Sequence, residues 1–289
     1  MSLLSFPGWK KLAGNRRLFL LCLLLFVVSS VLSFWVFFPA DIVQRRLLQE
    51  LSGQTGADMR GENATLLLPL GLSLDLFVYP GKEGLADFTL EGLQITPVWS
   101  RLLSTDPAIQ IDGKLASGKV DGEGSQKGDV RLNFKDVSVL SLQKPDLPYR
   151  VSGMLSGEFH GEDMTGQLNG RGEFTFIFKD GAVLGLERIG LPGRLALGTL
   201  RLAGKFNQRR FSLEKVVLNG GVLDVSGGGN ILVGETPEQT RLNLNIRLQP
   251  TAATSETLQD MLKLTGVRPT TDGSYLLRIG GTLAKPVVR

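Results

Sequence analysis

Along most of the chain, apolar and polar residues alternate with a period of two. The clearest case is 240–249, TRLNLNIRLQ, where Leu242, Leu244, Ile246 and Leu248 interleave with Arg241, Asn243, Asn245, Arg247 and Gln249. Such a segment predicts a half-buried antiparallel strand with one apolar face. Val130, Leu132 and Phe134 against Arg131, Asn133 and Lys135 repeat the pattern, as do Leu72, Leu74 and Leu76 against Ser73 and Asp75. Further strands are expected at 85–95, 108–116, 137–142, 149–160, 166–179, 195–206, 211–218, 222–233 and 275–283. Turn chemistry separates most of them, at Tyr79-Pro80-Gly81, Lys135-Asp136, Lys179-Asp180-Gly181, Asn207-Gln208, Asn219-Gly220-Gly221 and Thr271-Asp272-Gly273. Short connections favour antiparallel neighbours, and no helical pattern is long enough to serve as a parallel crossover. The expectation is a meander of about a dozen strands.

Two stretches read as short helices on this meander, 96–103 and 255–265. In the second, Ser255 can cap, and Leu258, Met261, Leu262 and Thr265 form a helical stripe. The segment 117–128, SGKVDGEGSQKG, reads as a linker or a long hairpin tip.

The period is different at the N-terminal end. Residues 18–38, LFLLCLLLFVVSSVLSFWVFF, contain no charge over 21 positions. That is the length of one membrane span. Lys10, Lys11, Arg16 and Arg17 precede it, against Arg45 and Arg46 after it. This bias predicts a cytoplasmic N-terminus and an exported remainder. Bulky Phe34, Trp35, Phe37 and Phe38 close the run where a cleaved signal peptide would carry small residues. An amphipathic helix is expected over 39–53, with Asp41 as cap and Ile42, Val43, Leu47 and Leu51 on one face. The expected layout is a basic tail at 1–17, a span at 18–38, the linker helix at 39–53 and a β-rich periplasmic domain at 54–289. The fold class is thus an all-β exported domain, a long, curved antiparallel meander with a few short helices, preceded by one transmembrane helix.

Charge then removes one class of partner. The net charge is +4, but only four of the 32 basic residues precede Asp41, the first acidic one, so 41–289 carry 28 of each sign. A neutral exported domain gives no footprint for nucleic acid. The single cysteine, Cys22, lies in the apolar run, so no intrachain disulfide can form.

Candidate chemistry is sparse. His160 is the only histidine, and Glu158, Glu162 and Asp163 near it read more readily as a solvated turn with Gly157 and Gly161 than as a cation or acid-base site. Gly227-Gly228-Gly229 continues into Ile231-Leu232-Val233 as strand, unlike a phosphate cradle, which opens a helix. The 113–119 stretch has Val120 where a phosphate loop needs a hydroxyl, and Asn63-Ala64-Thr65 matches a glycosylation sequon only by pattern. No catalytic, metal or cofactor residues emerge, and the reading is non-enzymatic. What remains is the apolar sheet face itself, represented by Val130, Leu132, Phe134, Leu242, Leu244, Ile246 and Leu248. It is either buried by closure of the sheet or open as a hydrophobic groove.

The order of basic tail, span, amphipathic helix and Gly-rich meander resembles the AsmA-like envelope proteins, as does the closing SYLLRIGGTLAKPVVR. Within that group LGTLRLAGK at 197–205, LNGGVLDVSGGGNILV at 218–233 and DGSYLLRIGGTLAKP at 272–286 are similar to the general secretion pathway protein N family, deltaproteobacterial type. The resemblance implies an inner-membrane, periplasm-facing component of type II secretion. Its expected neighbours are the inner-membrane platform and the secretin. The alternative is an AsmA-like lipid-binding or lipid-transfer module whose partner is phospholipid.

Overall fold

The computed structural model describes residues 16–37, 40–67, 70–81, 85–164, 170–264 and 267–288. Lys10 and Lys11 therefore lie outside the described residues. Two helices come first, α1 (Arg16–Phe37) and α2 (Ala40–Thr55). At 22 residues α1 is about 33 Å long. Arg16 and Arg17 form its first turn. Among the residues described with their side chains, no helix is long and apolar enough to cross a membrane. Those of α1 are only partly described.

Among the described residues, the strands that follow α2 form one antiparallel sheet of 14 in strict sequence order. They are β1 (Arg60–Leu67), β2 (Gly71–Tyr79), β3 (Phe88–Pro97), β4 (Ala108–Leu115), β5 (Gly118–Ser125), β6 (Val130–Ser138) and β7 (Arg150–Glu162). The series continues with β8 (Arg171–Leu184), β9 (Arg194–Asn207), β10 (Arg210–Asn219), β11 (Leu223–Leu232), β12 (Arg241–Pro250), β13 (Tyr275–Gly281) and β14 (Pro286–Val288). The one further α-helix, α3 (Glu256–Leu264), sits between β12 and β13, and Ser255 caps it with Oγ accepting from the Leu258 amide at 3.3 Å. The order is linear, with β1 at one edge and β14 at the other. Closure into a barrel would need those edges to pair, and among the described residues they do not. At about 4.8 Å per strand the sheet measures some 60 Å across.

The edge at β1 is not bare. Buried Gln44 of α2 donates from Nε2 to the Gly61 carbonyl at 2.5 Å, satisfying an edge acceptor with a side chain.

Several expectations are corrected. Residues 96–103 form no helix: Thr96 and Pro97 end β3, and the Arg101 amide donates to the Val98 carbonyl at 2.9 Å and that of Ser104 to Arg101 at 3.0 Å, a pair of successive turns. The 117–128 stretch is mostly a strand, β5, whose Gly122 and Gly124 occupy positions on the apolar face and hide its period. Lys135-Asp136 and Lys179-Asp180-Gly181 are not turns. They are irregularities inside β6 and β8, where Asp136 (φ 55°) and Asp180 (φ 52°) adopt the left-handed conformation. Aspartate tolerates that region in a bulge as readily as in a turn, so its residue chemistry does not separate the two. Consequently 137–142 is no separate strand, since Val137 and Ser138 finish β6 and Leu140–Leu142 is a 3-10 turn. Finally, EFHGED is not a hairpin turn, because β7 runs through it to Glu162.

Candidate functional site: an uncovered apolar sheet face

Register assembles the alternating strands into two unlike faces. On one, a row runs from Val120 through Phe134, Gly157, Phe176, Leu202, Val216, Gly227 and Ile246 to Leu277. A parallel row joins Leu132, Phe159, Phe174, Gly204, Leu213, Gly229, Leu244 and Ile279. The residues singled out from the sequence all fall here: Val130, Leu132 and Phe134 on β6, and Leu242, Leu244, Ile246 and Leu248 on β12, every one half-buried.

Glycines in these rows are seats for rings. Phe134 and Phe176, on strands two apart, meet with ring centroids at 5.4 Å over the intervening Gly157. A Cβ there would stand 2.5 Å from Phe176 Cδ1 and 3.1 Å from Phe134 Cζ. Likewise Phe159 and Phe206 stack at 5.3 Å across β8, whose Gly172 pairs with Phe206 and lies beneath its ring. Rings drawn together across a missing side chain cover one another and the backbone beneath them on the apolar side.

That ring packing partly substitutes for a second layer. Phe174, Phe178 and Phe206 are 7%, 8% and 5% exposed. Most other members of the rows stay half-buried, including Phe134, Phe159, Phe176, Leu242, Leu244 and Ile246. A fully covered sheet face would bury them all. The result is a long apolar trough with partial self-burial.

The opposite face carries a charged row: Gln110, Glu123, Arg131, His160, Glu173, Lys205, Ser212, Asn230 and Asn243. His160 sits between Arg131 and Glu173. A shallow hollow of about 390 Å³ lies around it, lined by Glu158, Thr175, Lys205 and Glu214 among others. Lys205 pairs with Glu214 at 3.1 Å, and Arg171 with Glu162 at 2.9 Å. Sequence reasoning found Glu158 and Glu162 beside His160 but missed Arg131, Glu173, Lys205 and Glu214. Their only signal is register, which joins residues as far apart as Arg131 and Lys205. The mixed signs cancel within the row, and among the described residues no group of three His, Cys, Asp or Glu side chains could hold a metal ion.

Two polar clusters fix loops. Arg101 pairs with Asp106 and, at 2.9 Å, with Glu123; the Glu123 hydrogen bond is the first cause that raises its pKa. Burial acts to raise the Asp106 pKa, but the Lys127 amide, the Ser125 hydroxyl and Arg101 outweigh it and hold the carboxyl below its ordinary value. Asp272 accepts from Thr270 Oγ1, from Ser274 Oγ at 2.8 Å and from the Ser274 amide at 3.3 Å, and pairs with Arg247. The Thr270 hydroxyl first, then Ser274, hold it well below the usual carboxylate range. No family model, no curated protein and no solved structure matches the chain.

Proposed function

We propose that this is a membrane-tethered, non-enzymatic protein whose curved sheet holds elongated apolar ligands, phospholipid acyl chains, in its trough. One observation carries the reading: two apolar rows cross the sheet, among the described residues no second layer packs over them, and most of their side chains remain half-buried. An apolar surface of this extent on an exported domain is a binding surface. The tether supplies the ligand's source. Residues 18–38 read as a span with the N-terminus cytoplasmic and the sheet in the periplasm of a bacterial inner membrane, which holds the trough at high local concentration beside the bilayer.

The test is a photocrosslinking amino acid placed at Phe211 on the apolar face or at Glu173 on the polar face of the full chain. Phospholipid captured from Phe211 and not from Glu173 is expected. No lipid, or equal capture from both, refutes the reading. An alkaline phosphatase fusion after Arg289 is expected to be active, and an inactive fusion overturns the orientation.

A second reading, a structural component of type II secretion that contacts the inner-membrane platform or the secretin, is favoured by the resemblance of 197–205, 218–233 and 272–286 to general secretion pathway protein N. Deletion should then block release of folded substrates across the outer membrane, and normal secretion in the deletant sinks it.

A further inference from the structure

The connection between β3 and β4 is built with its polar side inward. Arg101 turns to Asp106 and Glu123, Ser104 Oγ donates to the Arg101 carbonyl at 2.7 Å, and the Lys127 amide donates to Asp106 Oδ1 at 3.0 Å, tying the loop to the β5–β6 connection. Its apolar residues point the other way. Trp99, Leu102 and Leu103 are 49%, 40% and 98% exposed. Beside them lies Leu70 in the β1–β2 turn, 45% exposed, since Gly71 abuts Thr96 at the same end of the sheet. A loop that spends its charges on internal bonds and presents a tryptophan and leucines is held rigidly for insertion into something apolar.

The place of this patch in the sheet selects the occupant. Its strands, β1 to β4, form the edge of the sheet against which α2 packs through Gln44 and Gly61, and α2 follows the proposed tether in the chain. Farther along the same end the connections turn polar, with Gln126-Lys127-Gly128 after β5, Asn207-Gln208-Arg209 after β9 and Thr236 to Gln239 after β11. Apolar exposure returns at a lone Leu232 ending β11 and at Leu283, Val287 and Val288, at the edge remote from the tether, in each case without a tryptophan. We infer that Trp99, Leu102, Leu103 and Leu70 form a second membrane contact, inserting into the interfacial region of the bilayer and fixing the tilt of the sheet. Tryptophan is suited to that region because its ring is apolar and its N–H stays hydrated. The inference rests on the proposed tether, which brings this edge to the membrane.

The experiment uses the full chain in nanodiscs of phosphatidylethanolamine and phosphatidylglycerol, which leave both membrane faces open to solvent. Trp9→Phe with Trp35→Phe leaves Trp99 as the sole fluorophore, and Trp9→Phe with Trp99→Phe leaves Trp35. Quenching of Trp99 by lipids brominated on the acyl chain, with protection from iodide, is expected. Leu103→Glu, at a position too exposed to affect folding, should reduce that quenching. If Trp35 is quenched by brominated lipid while Trp99 is open to iodide, the second contact is refuted and the tether stands. If neither is quenched, both fall. Protection of Trp99 from iodide without quenching by brominated lipid would mean that a protein surface covers the patch, and also overturns the inference.

Discussion

Gly157→Ala is the sharpest probe of how the trough is made. The added methyl would stand 2.5 Å from Phe176 Cδ1, 2.5 Å from the Thr175 carbonyl oxygen and 3.1 Å from Phe134 Cζ. One of those neighbours is backbone, so a rotamer change in the rings cannot relieve the whole clash. Overpacking of this kind costs roughly 1–3 kcal/mol. Separating the Phe134 and Phe176 rings, now 5.4 Å apart, forfeits about 0.5–1.5 kcal/mol more. The expected loss is about 1.5–4.5 kcal/mol, or roughly 3–18 °C in thermal midpoint for a domain of this size. Gly124→Ala is the matched control, because a Cβ there meets nothing within 4 Å and the residue lies outside the left-handed region. It should change stability by less than about 0.5 kcal/mol or raise it slightly. Thermal melts of the two full-length variants in detergent, followed by far-ultraviolet circular dichroism, compare them directly. Equal midpoints would refute the claim that glycines seat the rings.

Asp272→Asn should lower the thermal midpoint at neutral pH. The native carboxyl is held below its unfolded value of about 3.9, so its contribution is present above that pH and fades as pH falls; melts at about pH 7, 5 and 3 should show the gap between variant and wild type closing, and a constant gap would refute it. Gln44→Ala removes the side-chain donor to the Gly61 carbonyl and should cost about 1 kcal/mol while speeding proteolysis within α2; unchanged proteolysis would show that α2 is held by other contacts. Arg101→Ala frees the β3–β4 loop, so chymotrypsin should cut after Trp99, Leu102 or Leu103 several-fold faster, and unaltered cleavage would mean that the ion pairs do not hold it.

How much of this could be read from the chain depends on what each feature needs. TRLNLNIRLQ displays β12 because all of its apolar positions carry side chains, and 255–265 shows its cap and stripe within one stretch, with α3 formed over Glu256–Leu264. The β5 strand is obscured because three of the four positions on its apolar face are glycine, and at Gly122 the missing side chain leaves room for Leu132. Bulges in β6 and β8 imitated turns because aspartate at positive φ serves either purpose. The charged row and the ring seats are products of register, and successive pairings bring into one row residues as far apart in sequence as Arg131 and Lys205. Local periodicity states which face a residue occupies and not which residue stands beside it.

Sheets rarely exceed about ten strands without curling or splitting, and this one reaches 14 in a single unbroken order. Its apolar face is covered in part by its own phenylalanines. Phe134 and Phe176 close over Gly157, Phe159 and Phe206 over β8, each pairing on the apolar side. The same contacts bury Phe174 and Phe206 almost completely and leave their neighbours half-buried, so the covered and the uncovered apolar surface arise from one set of rings. An acyl chain laid along the rows would cover what the rings leave uncovered, and would therefore stabilise the folded sheet. Substitutions that loosen the rings should accordingly weaken stability and ligand retention together, whereas changes on the charged face, such as at His160 or Glu173, should separate the two.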